Sequence, residues 1–392
     1  MRFFCLFLHI SLYLCTMKLH IFNPEHDLAL ASNLRQFTAP HAGRQLRSDL
    51  SFIPALWADE GDLVLVDDID NARDKVRHLG GDLVDKVEFI TKVQLAHFIK
   101  TEFLDSVHPW GWDLSLKGEL EHIGIPEIAL PSDAILNKVR AISSRQWAAE
   151  HLQSGVRFVQ SVAEVKSLVR EWGKAVIKAP WSSSGRGVRF VSADEFREGS
   201  DYPSFERWVG NIIYRQGGVT VEPYYNKVMD FGMEFVMVDG KVLYRGLSLF
   251  DTIKNAYSGN VLCPEDKKEE MMARYVSPER LLRIRQHVID VMEPALKGIY
   301  SGPFGVDMMI YAKEQNLPAS DVASSDVQDD FGVNECIEVN LRRTMGHVAI
   351  DLADYLQKTS SELNQLMRVE FDGNRYHLRV LPGQPSAEAP LH

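Results

Sequence analysis

The side chains able to do chemistry gather in four short stretches. In the first, Val176-Ile177-Lys178-Ala179-Pro180-Trp181 runs into Ser182-Ser183-Ser184-Gly185-Arg186-Gly187-Val188. A lysine at the end of an apolar strand faces a loop of small residues. Small side chains let backbone N–H groups close around phosphate oxygens, and the lysine adds a point charge for the same oxygens. No Gly-Lys-Ser/Thr follows and a strand comes next, so this is not a Walker loop. A plain Ser/Gly hairpin turn is the competing reading. In the second stretch, Val221-Glu222-Pro223-Tyr224-Tyr225, a glutamate on a strand can take an adenine amino group while the backbone near Tyr224 reads the ring edge. Asp230 and Glu234 follow in the next strand, and either could accept from ribose hydroxyls.

In the third stretch, Asp307 lies inside the apolar run Gly305-Val306-Asp307-Met308-Met309-Ile310. A carboxylate buried there without a partner is costly, so it needs a cation, a hydrogen-bond network or water. In the fourth, Glu338 and Asn340 stand two apart in Glu335-Cys336-Ile337-Glu338-Val339-Asn340-Leu341-Arg342-Arg343, so they share one face of a strand. A carboxylate and an amide oxygen are hard donors suited to Mg²⁺. Arg342, two further on, could neutralise a transferring phosphoryl group. Two earlier loops are substrate-site candidates: Asn23-Pro24-Glu25-His26-Asp27 after the first strand, and Phe37 to Arg44, whose Arg44 could bind a carboxylate. Asp27 serving only as a helix cap is the alternative for the first.

The elements that must hold these residues follow from periodicity. Strands are expected at 18–22, 63–66 and 87–90, with helices at 42–58 and from 90 to about 104. Strands alternating with helices indicate a parallel α/β lobe over 17–130, without a Gly-x-Gly-x-x-Gly dinucleotide turn. Ser161-Val162-Ala163-Glu164 is a capping box that starts a helix at 162–172, ended by Gly173. Strands follow at 175–178, 188–191, 219–222, 228–238 and 241–249. A helix with proline in its first turn opens at Ser277-Pro278, and strands return at 304–311 and 336–339. The segment 313–331 reads as a flexible insertion and 381–392 as a tail. This divides the chain into a first lobe, a small lobe at 131–215 and a C-terminal lobe at 216–380.

Composition agrees with a folded chain. Its 392 residues exceed one ordinary domain, and 45% hydrophobic with 25% charged residues excludes disordered and collagen-like classes. A net charge of −11 argues against a nucleic-acid backbone as main partner. Cysteines at 5, 15, 263 and 336 show neither metal spacing nor a paired framework, which reads as reduced thiols in a cytoplasmic protein. The apolar run Phe3 to Cys15 is too short to span a bilayer, which takes about 20 residues. Residues 1–16 read as an extension or leader before a start at Met17.

In order, lysine strand, Gly/Ser loop, strand glutamate, Asp, then Glu-x-Asn-x-Arg, these motifs resemble the ATP-grasp superfamily. Val176–Val191 is similar to the strand-loop-strand of biotin carboxylase and carbamoyl-phosphate synthetase, and Ile337–Arg342 to their Glu-x-Asn-x-Arg signature. The resemblance covers about 140–350. It implies an α/β fold with a nucleotide held between two α+β subdomains, preceded by a Rossmann-like lobe. It implies that Lys178 holds nucleotide phosphates and that Ser182, Ser183, Ser184, Gly185 and Gly187 belong to a closing loop. Where the family has Asp-Lys or Asp-Arg at the head of a helix, this chain has Ser144-Arg145, which makes Arg145 the first phosphate cation and Lys138 the alternate. Glu222 and Tyr224 match the adenine readers, and Asp230 remains a ribose candidate. Asp307, Glu338 and Asn340 match ligands of Mg²⁺ or Mn²⁺, and Arg342 the arginine that stabilises an acyl phosphate. The implied activity is an ATP-dependent carboxylate–amine ligase on a small molecule or peptide, with a homo-oligomer compatible with the family. A hydroxyl phosphotransferase and a non-catalytic nucleotide-binding module are the alternatives. His347 is either a substrate group or a helix-start or solvated histidine.

Overall fold

The computed structural model describes residues 17–182, 187–196, 202–253, 256–313, 330–359 and 365–382. It is an α/β molecule built on three sheets. The N-terminal extension and most of the 313–331 insertion and the tail lie outside the described residues.

The first sheet has four parallel strands in the order Glu88–Ile90, Leu63–Leu65, Lys18–Ile21, Ser106–Pro109. Leu63, Val64 and Leu65 are all buried, as expected of a parallel strand covered on both faces. From the central strand the chain steps outward through two strands, then returns to the opposite side. The C-terminal ends of Lys18–Ile21 and Ser106–Pro109 therefore flank a topological switch point, where open α/β sheets place ligands. The helix anticipated over 42–58 is shorter. It runs His41–Leu50, and a separate 3₁₀ turn, Ile53–Leu56, contains Pro54. Proline has no N–H to continue the helical ladder. The strand Ser106–Pro109 escaped the sequence reading because only Val107 in it is buried.

The second sheet is antiparallel, in the order Arg157–Val159, Val219–Pro223, Lys174–Lys178, Val188–Ser192. Ala175, Ile177, Val219 and Val221 pack against Val165 and Val169 of the helix Val162–Trp172 and Phe205 and Val209 of the helix Tyr202–Gln216. Strand alternation then sends Val176, Lys178, Thr220 and Glu222 to the other face. The predicted cap is present: Ser161 Oγ accepts from the Glu164 N–H, and Gly173 ends the helix at a φ of 74°.

The third sheet has seven antiparallel strands: Phe331–Asn340, Gly302–Ala312, Asn226–Val238, Lys241–Ile253, Ala256–Leu262, Gln365–Phe371 and Tyr376–Pro382. Phe231, Met233, Phe235, Phe304, Val306 and Met308 bury one face against the helix Pro278–Leu296. Residues two apart from one another on the opposite face are Asp230, Gly232 and Glu234, with Gly305 and Asp307 beside them. The strand Phe331–Asn340 is longer than anticipated. Its register slips between Asp307 and Met309, and Gln153 Nε2 donates to the Cys336 carbonyl there at 2.7 Å. Such a bulge re-aims side chains beside a site. The helix Met345–Thr359 joins this sheet to the first lobe through Val348, Ala349 and Leu352.

Candidate active site

Four supports converge on one cleft: the C-terminal edge of the first sheet, the polar face of the second, the polar face of the third, and the connection 143–145. Ser144 caps the helix Arg145–His151, its Oγ accepting from the Trp147 N–H, and this fixes Arg145 at the helix start. Arg145 is buried. Its Nη1 donates to the Ala179 carbonyl and to Ser182 Oγ, both at 2.8 Å, and its Nη2 to Glu338 Oε2 at 2.7 Å. One guanidinium thus ties the lysine strand to the Glu-x-Asn strand. Lys138, the alternate, is exposed on the helix Asp133–Ile142.

Lys178 and Glu222 are both buried on neighbouring strands and form an ion pair at 2.5 Å. A buried charge persists only when paired, so each requires the other or a ligand. Asp307 stands opposite Glu338 across the strand pair, and the Asn340 amide donates to Asp307 Oδ2 at 3.1 Å. Burial, then the charges of Glu338 and Glu234, push the Asp307 carboxyl up to about 8. Burial raises the Cys336 thiol, and the charges of Asp307, Lys178, Glu338 and Glu222 act on it as well.

Arg342 reaches across to the first lobe. Its Nε and Nη2 donate to the two carboxylate oxygens of Asp27 at 2.9 and 2.8 Å, and Nη2 also donates to Asn340 Oδ1 at 2.8 Å. Burial opposes the charge on each partner, and their mutual attraction outweighs it: the Asp27 carboxyl is lowered and the Arg342 guanidinium raised. Asp27 is therefore not a helix cap; Glu25 occupies that position of the helix His26–Ser32. Beside it, His26 is buried, with Nδ1 at 3.0 Å from Asp113 Oδ2. Asn23 binds the Gly111 carbonyl at 2.8 Å, which fastens the two switch-point loops together.

The remaining candidates lie as follows. Gly187 is buried at the root of the loop; a Cβ there would stand 2.3 Å from Ser182 Cβ, so only glycine fits. Ser183, Ser184 and Gly185 lie outside the described residues. Tyr224 is half exposed; its ring meets Phe190 edge-on and its N–H is taken by the Lys174 carbonyl at 3.3 Å, so that N–H is not free to read a ring edge. Asp230 is engaged by Lys227 at 2.6 Å and by Thr252 at 3.0 Å. Glu234, the other ribose candidate, is buried against Thr344 Oγ1 at 2.8 Å and His347 Nδ1 at 2.9 Å. His347 is thus a buried partner in the first turn of the helix Met345–Thr359, not a solvated group. Arg44 is exposed on the helix His41–Leu50.

Three contributors were not singled out from sequence. Asp113 is the N-cap of the helix Leu114–Ile123, a position that an aspartate just before a helical run could have disclosed. Arg140 packs its guanidinium 3.5 Å from the Trp181 ring centre and donates to the Leu30 carbonyl at 2.6 Å, bracing the loop root against the first lobe. Gln153 holds the bulge. The last two depend on contacts between distant segments, which leave no local pattern.

No family model and no curated protein matches the chain. Solved structures do. Over 91% of this chain and 83% of that one, it is similar to N5-carboxyaminoimidazole synthetase from Staphylococcus aureus complexed with ADP, at 11% identity and a TM-score of 0.46. An ATP-grasp superfamily protein from Archaeoglobus fulgidus matches over 94% of this chain and all of that one (100%), at 12% identity and a TM-score of 0.45. The biotin carboxylase–β,γ-ATP complex from Campylobacter jejuni matches over 90% and 75%, at 14% identity and a TM-score of 0.46. No helix among the described residues is long and apolar enough to cross a membrane.

Proposed function

We propose that this chain is an ATP-dependent carbon–nitrogen ligase of ATP-grasp type. It would phosphorylate a carboxylate to an acyl phosphate and pass the acyl group to an amine, releasing ADP and phosphate. One observation carries the reading: Arg145 bonds Glu338 directly, so the phosphate-binding and metal-binding candidates face each other across a single cleft.

The donor set suits a divalent cation. Asp307 and Glu338 are opposed carboxylates, and crowding with Glu234 leaves excess negative charge that raises the Asp307 carboxyl. No group of three His, Cys, Asp or Glu side chains among the described residues is placed to hold a metal, so Asn340 would be the third donor. Its amide turns nitrogen toward Asp307 and oxygen toward Arg342; turning it over would present the oxygen beside the Asp307 carboxylate. A bound Mg²⁺ would offset charge between the phosphates and these carboxylates.

The protein's own groups do the rest. Lys178 would leave Glu222 for phosphate oxygens, freeing that carboxylate for the adenine amino group. Arg145, fixed by its cap, holds its charge on the opposite side. Arg342 grips a carboxylate already, that of Asp27, in the two-pronged geometry a substrate carboxylate or acyl phosphate would use. At the root of the loop Gly187 packs closely against Ser182, which lines the cleft. Bringing several anions together is the main physical difficulty, and three fixed cations at one cleft address it.

A screen for Mg²⁺-dependent ADP release against pools of amino acids, short peptides and carboxylic acids, followed by mass spectrometry, tests this. An amide product is expected. A phosphate ester would make the chain a phosphotransferase, and absence of ADP release from every pool would overturn the ligase reading.

A further inference from the structure

We propose that His26 is the base that accepts a proton from the attacking amine, and that Asp113 is its positioning residue. This deepens the ligase reading and rests on it. His26 follows the first strand of the parallel sheet, and Asp113 follows its neighbour Ser106–Pro109, so the pair straddles the switch point of the first lobe. His26 is only 1% exposed, yet its Nε2 is buried without a hydrogen-bond partner. A buried polar atom left unpaired is costly, a cost a fold retains where a ligand completes the bond.

The ring cannot turn away. A Cβ on Gly111 would lie 2.6 Å from His26 Cδ2, so glycine at 111 lets the backbone press flat against the imidazole. Asp113 is fixed twice, with Oδ1 accepting from the Leu116 N–H at 2.9 Å and Oδ2 facing His26 Nδ1. A carboxylate on Nδ1 keeps the proton there and leaves the Nε2 lone pair as the free end. His26 lines the same small cleft as Ser182, Glu338 and Asn340. The base therefore enters from the first lobe, and the activated acyl group from the two antiparallel sheets.

In the step, the amine nitrogen attacks the carbonyl carbon of the acyl phosphate. The C–N bond forms, the C–O bond to phosphate breaks, and inorganic phosphate leaves with that electron pair. The proton shed by nitrogen passes to His26 Nε2. The acceptor class is a primary amine, seated at the C-terminal edge of the first sheet.

Hydroxylamine separates this role from any earlier one, because it is uncharged at neutral pH and attacks acyl phosphates without a base. Wild-type enzyme, His26→Gln and His26→Ala are compared with ATP, Mg²⁺ and a pool of amino and dicarboxylic acids, with either hydroxylamine or a pool of primary amines as acceptor. His26→Gln should form amide at least 100-fold more slowly while hydroxamate formation falls no more than about threefold. Added imidazole should restore amide formation to His26→Ala. Equal loss of both products, or loss of neither, overturns the assignment. If the His26 variants do not fold, as read by circular dichroism, Asp113→Asn must show the same amide-selective loss or the proposal fails. Wild-type enzyme that yields neither product nor ADP indicts the ligase reading itself.

Discussion

At the scale of single residues the candidate site consists of charges held by one another. Lys178→Ala should weaken ATP binding by about 10- to 100-fold, the worth of a charge-assisted hydrogen bond, measured by calorimetry. It also strands Glu222 in a buried place, so thermal stability should fall by about 3 kcal/mol. Lys178→Ala/Glu222→Gln should recover that stability without recovering ATP affinity. Asn340→Ala should abolish ADP release yet leave most nucleotide affinity, and unchanged turnover would refute its place at the metal. These residues were legible in sequence because each sits in a strand whose apolar alternation makes a polar residue conspicuous. Their present partners were not. Nothing local in Glu222 announces Lys178, and nothing near Arg342 announces Asp27, 315 positions away.

At the scale of elements, the helix Met345–Thr359 and the large sheet meet at a polar joint: Glu234, Thr344, His347 and the Phe235 carbonyl, which His347 Nε2 contacts at 3.0 Å. Gly346 makes the joint possible, since a Cβ there would lie 1.9 Å from Glu234 Oε1. Gly346→Ala should destabilise by more than about 2 kcal/mol in denaturant melts and lower activity, because the strand carrying Glu234 also supports Asp307. A wild-type melt would show that the joint yields. From sequence, Glu234 and Asp230 are both ribose candidates because they are carboxylates in the strand that follows Glu222. Their positions in the chain do not show that the helix closes over the Glu234 end of that strand. Likewise Pro54 was visible, but where the helix before it ends depends on packing.

At the scale of the molecule, periodicity set the parallel α/β lobe apart from the strand-rich region after Val219, but not which strands pair: Val219–Pro223, assigned from sequence to the C-terminal lobe, lies beside Lys174–Lys178 in the second sheet, a pairing between distant segments that leaves no local pattern. The strands Gln365–Phe371 and Tyr376–Pro382 were missed, since half-buried residues with exposed charges give them no clear alternation. Away from the cleft, the first lobe carries a pH response. Burial, against the pull of Asp62, drives the His20 imidazole down to about 4. The unfolded chain takes up this proton near 6.5 and the folded chain only near 4. Stability from this group is complete above 6.5 and declines as pH falls toward 4, by at most about 3 kcal/mol. His20→Gln should flatten that part of the stability profile, and an unchanged slope would remove His20 as its source.

The measurement that bears most directly on the cleft as an ATP site is titration calorimetry of ATP, with and without Mg²⁺, into wild-type protein, Lys178→Ala and Asp307→Asn. One ATP per chain, bound in a Mg²⁺-dependent manner and at least 10-fold more weakly by both variants, is the predicted result. No binding to the wild type, or binding that neither substitution alters, would contradict it.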